Sequence, residues 1–255
     1  IILESKLNKT RYLLLAAGRG SRMKKLTSSK PKCLVKVAGK TILDWQINSI
    51  EKSQISKVQI ITGYLSDKLK VPYEKIHNKN WKNTNMVYSM LLSNDFNGDT
   101  IVSYSDIIYH KSYINKLMKC KYDICVLADI DWKSLWMQRM NNPLDDAEKF
   151  IAENNFLKSI GSRTNNYKNI QAQYMGLIKF SKQGYQSLKK HYYNLTIEQQ
   201  QSIDMTSMLS LLLSKNIKIR VCYINGKWIE ADSTEDVNLY NKILNNNQNW
   251  SHDFR

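Results

Sequence analysis

A stretch near the amino terminus decides the fold: Leu13–Met23, which reads LLLAAGRGSRM. An apolar run of strand length ends at two alanines and is followed by a loop rich in glycine and arginine. The run predicts a buried strand of a parallel sheet, and open α/β sheets bind ligands where such strands end. Gly18 and Gly20 allow a tight turn whose N–H groups can approach phosphate oxygens, and Arg19 and Arg22 add positive charge. An ordinary strand-to-loop turn remains the alternative, since a short Gly-x-Gly is weak evidence by itself.

The composition favours one globular domain over residues 1–255. A hydrophobic content of 42% suffices for a core, and no apolar run approaches the roughly 20 residues of a membrane span. We find no basic-then-apolar leader. The formal net charge is +16, but the lysines are spread along the chain without a long basic block. We therefore expect neither nucleic acid nor a membrane as partner, and a monomer or homodimer.

The four cysteines are scattered, with neither a Cys-x-x-Cys pair nor zinc-ligand spacing. They are Cys33, Cys120, Cys125 and Cys222. This usage predicts reduced, mostly buried thiols and a cytoplasmic protein.

Strand-like and helix-like segments alternate along the first half of the chain, which predicts a parallel sheet with helical crossovers. We expect an α/β fold: a Rossmann-like, mostly parallel central sheet flanked by helices. Residues 129–165 break the rhythm and predict a small β-rich insertion over the sheet, with a hairpin formed by 147–151 and 156–160. Residues 245–255 form an Asn-rich tail, for which we expect no defined chemistry and loose structure.

Two aspartates follow predicted strands, and each has a second interpretation. Asp106 comes just past the strand near residues 100–104, and Asp232 ends the strand around Trp228. Carboxylates at these strand ends can hold Mg²⁺, a hard cation that prefers oxygen ligands. Asp106 could instead cap the helix predicted from about residue 111, while Asp236 is typical of a helix start.

The opening stretch continues with Pro31–Leu34, which reads PKCL. AAGRGSRM followed by PKCL resembles the signature of the nucleotidyltransferase superfamily, whereas the Rossmann and P-loop patterns are not met. The resemblance implies that Arg22 and Lys32 are catalytic. It also implies that the following residues contact the nucleotide: Ala16, Ala17, Gly18 and Gly20.

The run Thr84–Met90, TNMVYSM, resembles bacterial phosphocholine and phosphonate cytidylyltransferases of that superfamily. Thr84, Asn85 and Ser89 would then recognise the base, and CTP is favoured over UTP or dTTP. The alternative role of Thr84 and Asn85 is to cap the helix that follows.

The segment Trp228–Asp236, WIEADSTED, resembles the family pattern Trp-x-Glu-Ile-Asp-Thr-x-x-Asp, with Ala231 and Ser233 as departures. The resemblance supports Asp106 and Asp232 as ligands of Mg²⁺. Glu230 could accept hydrogen bonds from an amine of the acceptor.

Further residues are candidates for binding the acceptor, the second substrate that the resemblance implies, and the 129–165 insertion would lie on the acceptor side of the sheet. Each of these residues has a structural alternative. Gly176 interrupts a strand next to Tyr174, and glycine there often marks close approach of a ligand. Lys149 could contact an acceptor phosphate or be a solvated strand lysine. Trp136 could receive an ammonium group or pack in the interior. Asp204 could bind the acceptor or suit the helix dipole.

The resemblance implies that a phosphate or phosphonate of a small amine or amino acid attacks the α-phosphorus of CTP with Mg²⁺, releasing pyrophosphate. Phosphocholine, aminoethylphosphonate and phosphoglutamine fit as acceptors, in decoration of a capsule or cell-surface polysaccharide. One alternative is a sugar-1-phosphate nucleotidyltransferase using UTP, dTTP or CTP. Another is a nucleotide-binding module without catalysis.

Overall fold

The computed structural model describes residues 9–51, 53–246 and 249–255. These residues form thirteen strands, numbered in chain order. The strands are β1 Thr10–Ala16, β2 Lys36–Val37, β3 Lys40–Thr41, β4 Ile55–Thr62, β5 Glu74–His77, β6 Asp99–Tyr104, β7 Ile107–Tyr109, β8 Ile124–Asp129, β9 Glu148–Glu153, β10 Phe156–Arg163, β11 Gln173–Phe180, β12 Arg220–Ile224 and β13 Trp228–Glu230.

Eight α-helices lie within the same described ranges. They are α1 Ile42–Ile50, α2 Met86–Leu91, α3 Ser112–Lys119, α4 Trp132–Arg139, α5 Lys182–Tyr193, α6 Ile197–Ser202, α7 Met205–Ser214 and α8 Thr234–Asn246. Short 3₁₀ turns add Ser21–Thr27, Lys32–Leu34, Ser66–Lys68, Pro143–Asp145 and Tyr167–Asn169.

Nine of these strands form one sheet, in the order β5-β4-β1-β6-β11-β8-β12-β10-β9. β1 pairs in parallel with β4 and β6, whereas β11 is antiparallel to both of its neighbours. Alternate residues of β1 enter opposite cores: Leu14 packs in one cluster and Leu13 in the other. Burial on both faces explains why the β1 sequence is continuously apolar. The predicted fold class, a mostly parallel sheet with flanking helices, is confirmed.

Local sequence signals set several element boundaries. Thr41 caps α1: its hydroxyl accepts from the N–H of Asp44, whose carboxylate accepts from the N–H of Thr41. This reciprocal capping box is the reason that the helix begins here. Ser181 caps α5, because its hydroxyl accepts from the N–H of Gly184.

The predicted hairpin forms, but it does not lie over the sheet. β9 is an edge strand of the nine-stranded sheet and β10 lies next to it. β10 joins the sheet through Phe156, which lies opposite Arg220 of β12. Phe150, Leu157 and Ile160 bury the inner face against the core. The segment therefore extends the central sheet, with these apolar residues in the same core cluster as Val221 of β12.

The prediction of four reduced thiols is wrong for one pair. Cys120, directly after α3, and Cys125, on β8, form a disulfide across a short turn, with their Cα atoms 6.7 Å apart. Cys33 and Cys222 are free. Spacing alone did not reveal the pair, because only the turn between helix and strand brings the two residues together. The cysteines thus lend no support to the cytoplasmic prediction.

The prediction of a loose tail is also wrong for its described end, residues 249–255. Trp250, His252 and Phe254 are buried. Trp250 packs against Tyr240 with ring centroids 5.8 Å apart, and Phe254 meets Trp45 edge-on at 5.1 Å. These three aromatic residues at alternate positions fill gaps beside α1, α4 and α8. The buried area of large aromatic side chains outweighs the polar character of the tail.

Candidate active site

A cavity of about 300 Å³ opens at the carboxyl end of β1 and β6. Segments distant in sequence converge on it, as expected for an open α/β sheet. Of the predicted site residues, the structure brings these to its lining: Ala17, Gly18, Gly20, Arg22, Lys32, Thr84, Asn85, Ser89, Asp106 and Asp232.

The glycine loop follows β1 and owes its shape to Gly20. This residue has φ +63°, and a Cβ there would lie 2.9 Å from Cδ of Lys32. Gly20 therefore lets the Lys32 side chain pass against the loop backbone. A Cβ on Gly18 would meet no heavy atom of the described residues within 4 Å. The loop surface at Gly18 is thus open to a ligand.

Lys32 is a buried cation between two carboxylates. Its Nζ lies 2.8 Å from Oδ2 of Asp106 and 2.6 Å from Oδ1 of Asp232. Burial disfavours the charged ammonium, but the two aspartates outweigh it and raise the pKa of Lys32. The lysine thus stays protonated at neutral pH and supplies a fixed positive charge at the cavity.

The two aspartates are held together by a separate two-stranded ribbon. β7 and β13 pair antiparallel, with Ile107 opposite Glu230. Asp106 lies in the turn before β7, and its backbone carbonyl accepts from the N–H of Ala231 at 2.8 Å. Asp232 follows β13 directly. The ribbon therefore explains how residues 126 positions apart reach one lysine.

The acidic cluster fits a divalent cation. One oxygen from each of Asp106, Glu230 and Asp232 lies within 4.8 Å of the others. Oδ1 of Asp106 is buried and has no hydrogen-bond partner among the described residues. A buried carboxylate oxygen without a partner is costly, and hard cations use such oxygens as ligands. Glu230, predicted to meet the acceptor, thus belongs to the same cluster as the two predicted ligands.

Arg22 reaches the cluster from the solvent side. Its Nη2 lies 2.9 Å from Oδ2 of Asp232, and its side chain is 67% exposed. Because solvent screens the exposed guanidinium, its ion pair with buried Asp232 contributes little stability. Arg22 can therefore turn from Asp232 toward a phosphate at small cost.

Sequence reasoning missed Arg139, which supports the cluster from the interior. Its guanidinium contacts Glu230 at 2.9 Å and both carboxylate oxygens of Asp236 at 3.1 and 3.2 Å. Its side chain is 3% exposed. Burial disfavours its charge, but Glu230 and Asp236 outweigh this and raise the pKa of Arg139. No motif marks this residue, because α4 lies in the segment interpreted as an insertion.

Burial dominates the electrostatics of Glu230. It raises the pKa of this carboxyl to about 7, with Asp232 and Asp106 adding to the rise while Arg139 and Lys32 oppose it. Asp232 behaves differently: burial would raise its pKa, but Lys32 and the two arginines lower it. Carboxylates two residues apart therefore differ in how readily they carry charge.

The other side of the cavity is lined by hydroxyl groups and an indole. The amide nitrogen of buried Asn78 donates to the hydroxyls of Thr84 and Ser89, both at 2.9 Å. Asn85 caps α2, and its amide nitrogen donates to the carbonyl of Ser202 at 3.0 Å. The side-chain hydrogen bonds of Asn85 thus serve the fold, whereas Thr84 and Ser89 keep acceptor capacity toward the cavity.

Gly176 permits a close approach, but by a side chain of the protein itself. It has φ +83°, and a Cβ would lie 2.8 Å from the Tyr104 ring, which lines the cavity. Tyr174 meets Tyr104 edge-on at 5.8 Å. The buried hydroxyl of Tyr174 has no hydrogen-bond partner among the described residues. Gly176 thus acts on the cavity through Tyr104.

Several predicted acceptor residues lie away from the cavity lining. Trp136 is 4% exposed, and its Nε1 donates to Asp146, so it packs in the interior. Asp204 caps α7 by accepting from the N–H of Ser207. Among the described residues, the lining includes neither Lys149, which is on edge strand β9, nor Ala16 of β1.

The geometry agrees with comparisons to known proteins. Residues 12–138 match the MobA-like NTP transferase domain. The chain is 34% identical to the CTP:phosphoglutamine cytidylyltransferase of Campylobacter jejuni, over 89% of this chain and 97% of that protein. This chain belongs to the nucleotidyltransferase family. It is also 32% identical to the choline-phosphate cytidylyltransferase of Haemophilus influenzae, over 43% of this chain and 50% of that one.

The fold is similar to solved structures of the family. The CTP:phosphocholine cytidylyltransferase of Streptococcus pneumoniae superposes with a TM-score of 0.71, covering 92% of this chain and 99% of that chain at 20% identity. The inositol-1-phosphate CTP transferase of T. maritima also gives 0.71, with coverages of 94% and 98% at 17% identity. In the described ranges, each helix is too short or too polar to span a bilayer.

Proposed function

We propose that this nucleotidyltransferase transfers the cytidylyl group of CTP to the phosphate or phosphonate of a small amine or amino acid. One observation carries the proposal: buried Lys32 joins Asp106 and Asp232 at the mouth of the glycine-loop cavity. The similarity to a CTP:phosphoglutamine cytidylyltransferase over nearly the whole chain supports CTP as donor and phosphoglutamine as first acceptor to test. Phosphocholine and aminoethylphosphonate are the next acceptors, and decoration of a capsule or cell-surface polysaccharide is the process we infer.

In the proposed reaction, an acceptor oxygen forms a bond to the α-phosphorus while the bond from that phosphorus to the bridging oxygen breaks. Pyrophosphate leaves with the bonding electrons. The nucleophile is already an anion, so no general base is needed. The obstacle is repulsion between two anions, which fixed positive charge and alignment can overcome.

The residues of the cavity would divide this work. N–H groups of the glycine loop and the side chains of Arg22 and Lys32 would hold the triphosphate and the leaving pyrophosphate. Asp106 and Asp232 would hold Mg²⁺, with Glu230 beside them. A bound Mg²⁺ would supply positive charge to offset that of the phosphates. Thr84 and Ser89 would meet the base.

We infer a positively charged acceptor group from Glu148 and from Asp146 and Asp204, whose carboxyl groups lie close enough to interact with that of Glu148. Burial raises the pKa of Glu148, and Asp204 and Asp146 add to the rise. Tyr174 packs edge-on against Tyr104, whose ring lines the cavity. We infer that Tyr174, Asp204 and Glu230 contact the acceptor, with Lys149 a further candidate for its phosphate. Trp136 would act only by packing behind Arg139, whose guanidinium lies 5.1 Å from its ring centroid.

The test is release of pyrophosphate with Mg²⁺, for each of the four common nucleoside triphosphates against a panel of acceptors. The panel contains phosphoglutamine, phosphocholine, aminoethylphosphonate and hexose-1-phosphates. We expect turnover with CTP and one of the first three. Turnover only with UTP or dTTP and a sugar phosphate would support the alternative activity. Nucleotide binding without turnover would favour a non-catalytic module.

An Asp106→Ala variant tests the metal role in the same assay. We expect its rate to fall about 10²–10³-fold, by analogy with other preorganised groups. Asp99→Ala, at the opposite end of the same strand β6, is the matched control and keeps its turnover. Full activity of Asp106→Ala would contradict the assigned role.

A further inference from the structure

Gln46 is a polar side chain buried among apolar neighbours. It lies on the inner face of α1 beside Ile42 and Ile50 and is 0% exposed. Its position fits the helical stripe, where an apolar residue would fill the space equally well. A buried amide is costly unless it is hydrogen-bonded. The side-chain nitrogen of Gln46 makes such bonds, whereas its Oε1 has no partner among the described residues.

The amide nitrogen of Gln46 bridges the two sides of one turn. It donates to the backbone carbonyl of Tyr104 and to that of Ile107, both at 2.7 Å. These carbonyls flank Ser105 and Asp106, so both amide hydrogens are used across the turn that carries the Asp106 carboxylate.

The same turn has a second anchor on its other side. The backbone carbonyl of Asp106 accepts from the N–H of Ala231, which precedes Asp232. With Gln46 holding the turn and Ala231 connecting it to β13, the two aspartates have a defined separation. Ligand oxygens need such a fixed separation to bind a cation.

We propose that Gln46 is a positioning residue for the divalent-cation site: it fixes the Ser105–Asp106 turn so that the Asp106 carboxylate faces Asp232. The inference rests on the proposed function for its catalytic consequence. Its structural part concerns the cation site alone. Without the amide, the buried carbonyl of Ile107 loses this donor, and the turn can rearrange to recover one.

The experiment replaces Gln46 by methionine, which has similar length and no donor. The matched control is Ser49→Ala. Ser49 lies on the same helix and also donates to a β7 carbonyl, that of Tyr109 at 3.0 Å, but away from the turn. Each variant loses a hydrogen bond from α1 to a backbone carbonyl of β7. Only Gln46→Met also loses a contact across the Ser105–Asp106 turn.

The first readout is binding of Mn²⁺ alone to the nucleotide-free protein, followed by electron paramagnetic resonance. We expect Gln46→Met to weaken binding about 10–100-fold, the range for residues that orient metal ligands. Ser49→Ala should bind as the wild type does. Equal affinity in wild type and Gln46→Met, or no Mn²⁺ binding by the wild type, would overturn the proposal.

The second readout is turnover as a function of Mg²⁺ concentration. We expect Gln46→Met to need about 10–100-fold more Mg²⁺ for half-maximal rate and to recover when Mg²⁺ is raised. A loss that no Mg²⁺ concentration restores indicates a general structural defect and counts against positioning. If Gln46→Met does not fold, Gln46→Asn, which keeps a shorter amide, should weaken Mn²⁺ binding in the same direction.

The two proposals fail in different ways. If Mn²⁺ binding weakens as expected while no nucleotide and acceptor pair turns over, Gln46 keeps its positioning role and the proposed function is wrong. If turnover is found but neither metal readout changes, the proposed function stands and the role of Gln46 is wrong.

Discussion

The two ends of the central sheet each contain a cavity and a buried lysine, yet they differ in chemistry. At the amino end a wide groove of about 1620 Å³ is lined by Lys179, whose Nζ contacts Asp99 at 3.5 Å and donates to the carbonyl of Cys120. At the carboxyl end the cavity is about 300 Å³, and Lys32 contacts two aspartates. The smaller cavity has the unpartnered carboxylate oxygen and the open glycine loop. Converging polar groups therefore favour the smaller cavity as the candidate site, although the other has the larger volume.

The largest expected effect comes from exchanging the two buried lysines for methionine. Lys32→Met should lower kcat about 10²–10³-fold, because a fixed charge is removed from the reacting phosphates. Lys179→Met should leave turnover of the folded enzyme unchanged while lowering its thermal midpoint, because Asp99 loses a partner. Rates per folded protein, with folding checked by circular dichroism, measure both. Similar rate losses in the two variants would contradict the assignment of function to the carboxyl end of the sheet alone.

A second comparison uses two glycines with positive φ. Gly20→Ala brings a Cβ within 2.9 Å of Lys32, whereas at Gly39, with φ +82°, a Cβ would have no described neighbour within 4 Å. Both variants should lose about 1–2 kcal/mol of stability from the left-handed backbone. Only Gly20→Ala should also lower kcat, by up to about 10²-fold, because Lys32 is displaced. Thermal unfolding and steady-state rates distinguish the two, and a rate loss in Gly39→Ala would count against this reason.

The smallest effect concerns how the free energy of unfolding depends on pH through one glutamate on each edge strand of the central sheet, β9 and β5. Burial raises the pKa of Glu148, whereas hydrogen bonds from Lys57 and Gln59 lower the pKa of Glu74, on the first residue of β5. The folded protein holds the Glu148 proton more tightly than the unfolded chain does. Glu148 therefore reduces stability as pH rises from the ordinary value of 4.5 through its folded pKa.

Glu148→Gln should remove that decline, so the variant gains stability relative to wild type as pH rises. Glu74→Gln should do the opposite: the stabilisation of ionised Glu74, present above pH 4.5 and lost as pH falls through its lowered folded pKa, disappears. Urea unfolding at several pH values measures both slopes. For each variant, the slope is that of the stability difference from wild type plotted against pH. Slopes of the same sign for Glu148→Gln and Glu74→Gln would contradict the assigned burial of Glu148.

Sequence reasoning predicted most of the fold because local signals agree with the tertiary structure. The apolar run of β1 is buried on both faces, and Thr41 with Asp44 forms a local capping box at the start of α1. The hairpin and the tail were misplaced for a different reason. Alternating apolar residues reveal a strand or a buried segment, but they do not say which surface the segment covers.

For the candidate site, the sequence predicted residues with a motif and missed those without one. The loop, Lys32 and the two aspartates stand in recognisable strings. Arg139 and Gln46 lie on helices among ordinary neighbours, and their importance comes only from what they contact. Asn85 shows the reverse case, since its amide is used in contacts with α2 and Ser202.

By itself the sequence determined which strand is buried on both faces, where a glycine-rich loop follows it, and which acids end strands. These features depend on neighbouring residues, so hydrophobic period, glycine and capping groups specify them. Only the tertiary structure decided that Asp106, Glu230 and Asp232 share one cluster, that Lys32 joins it, and that Arg139 and Gln46 hold it. These contacts join residues far apart in the chain, because the pairing of β7 with β13 and the packing of α1 and α4 bring them together.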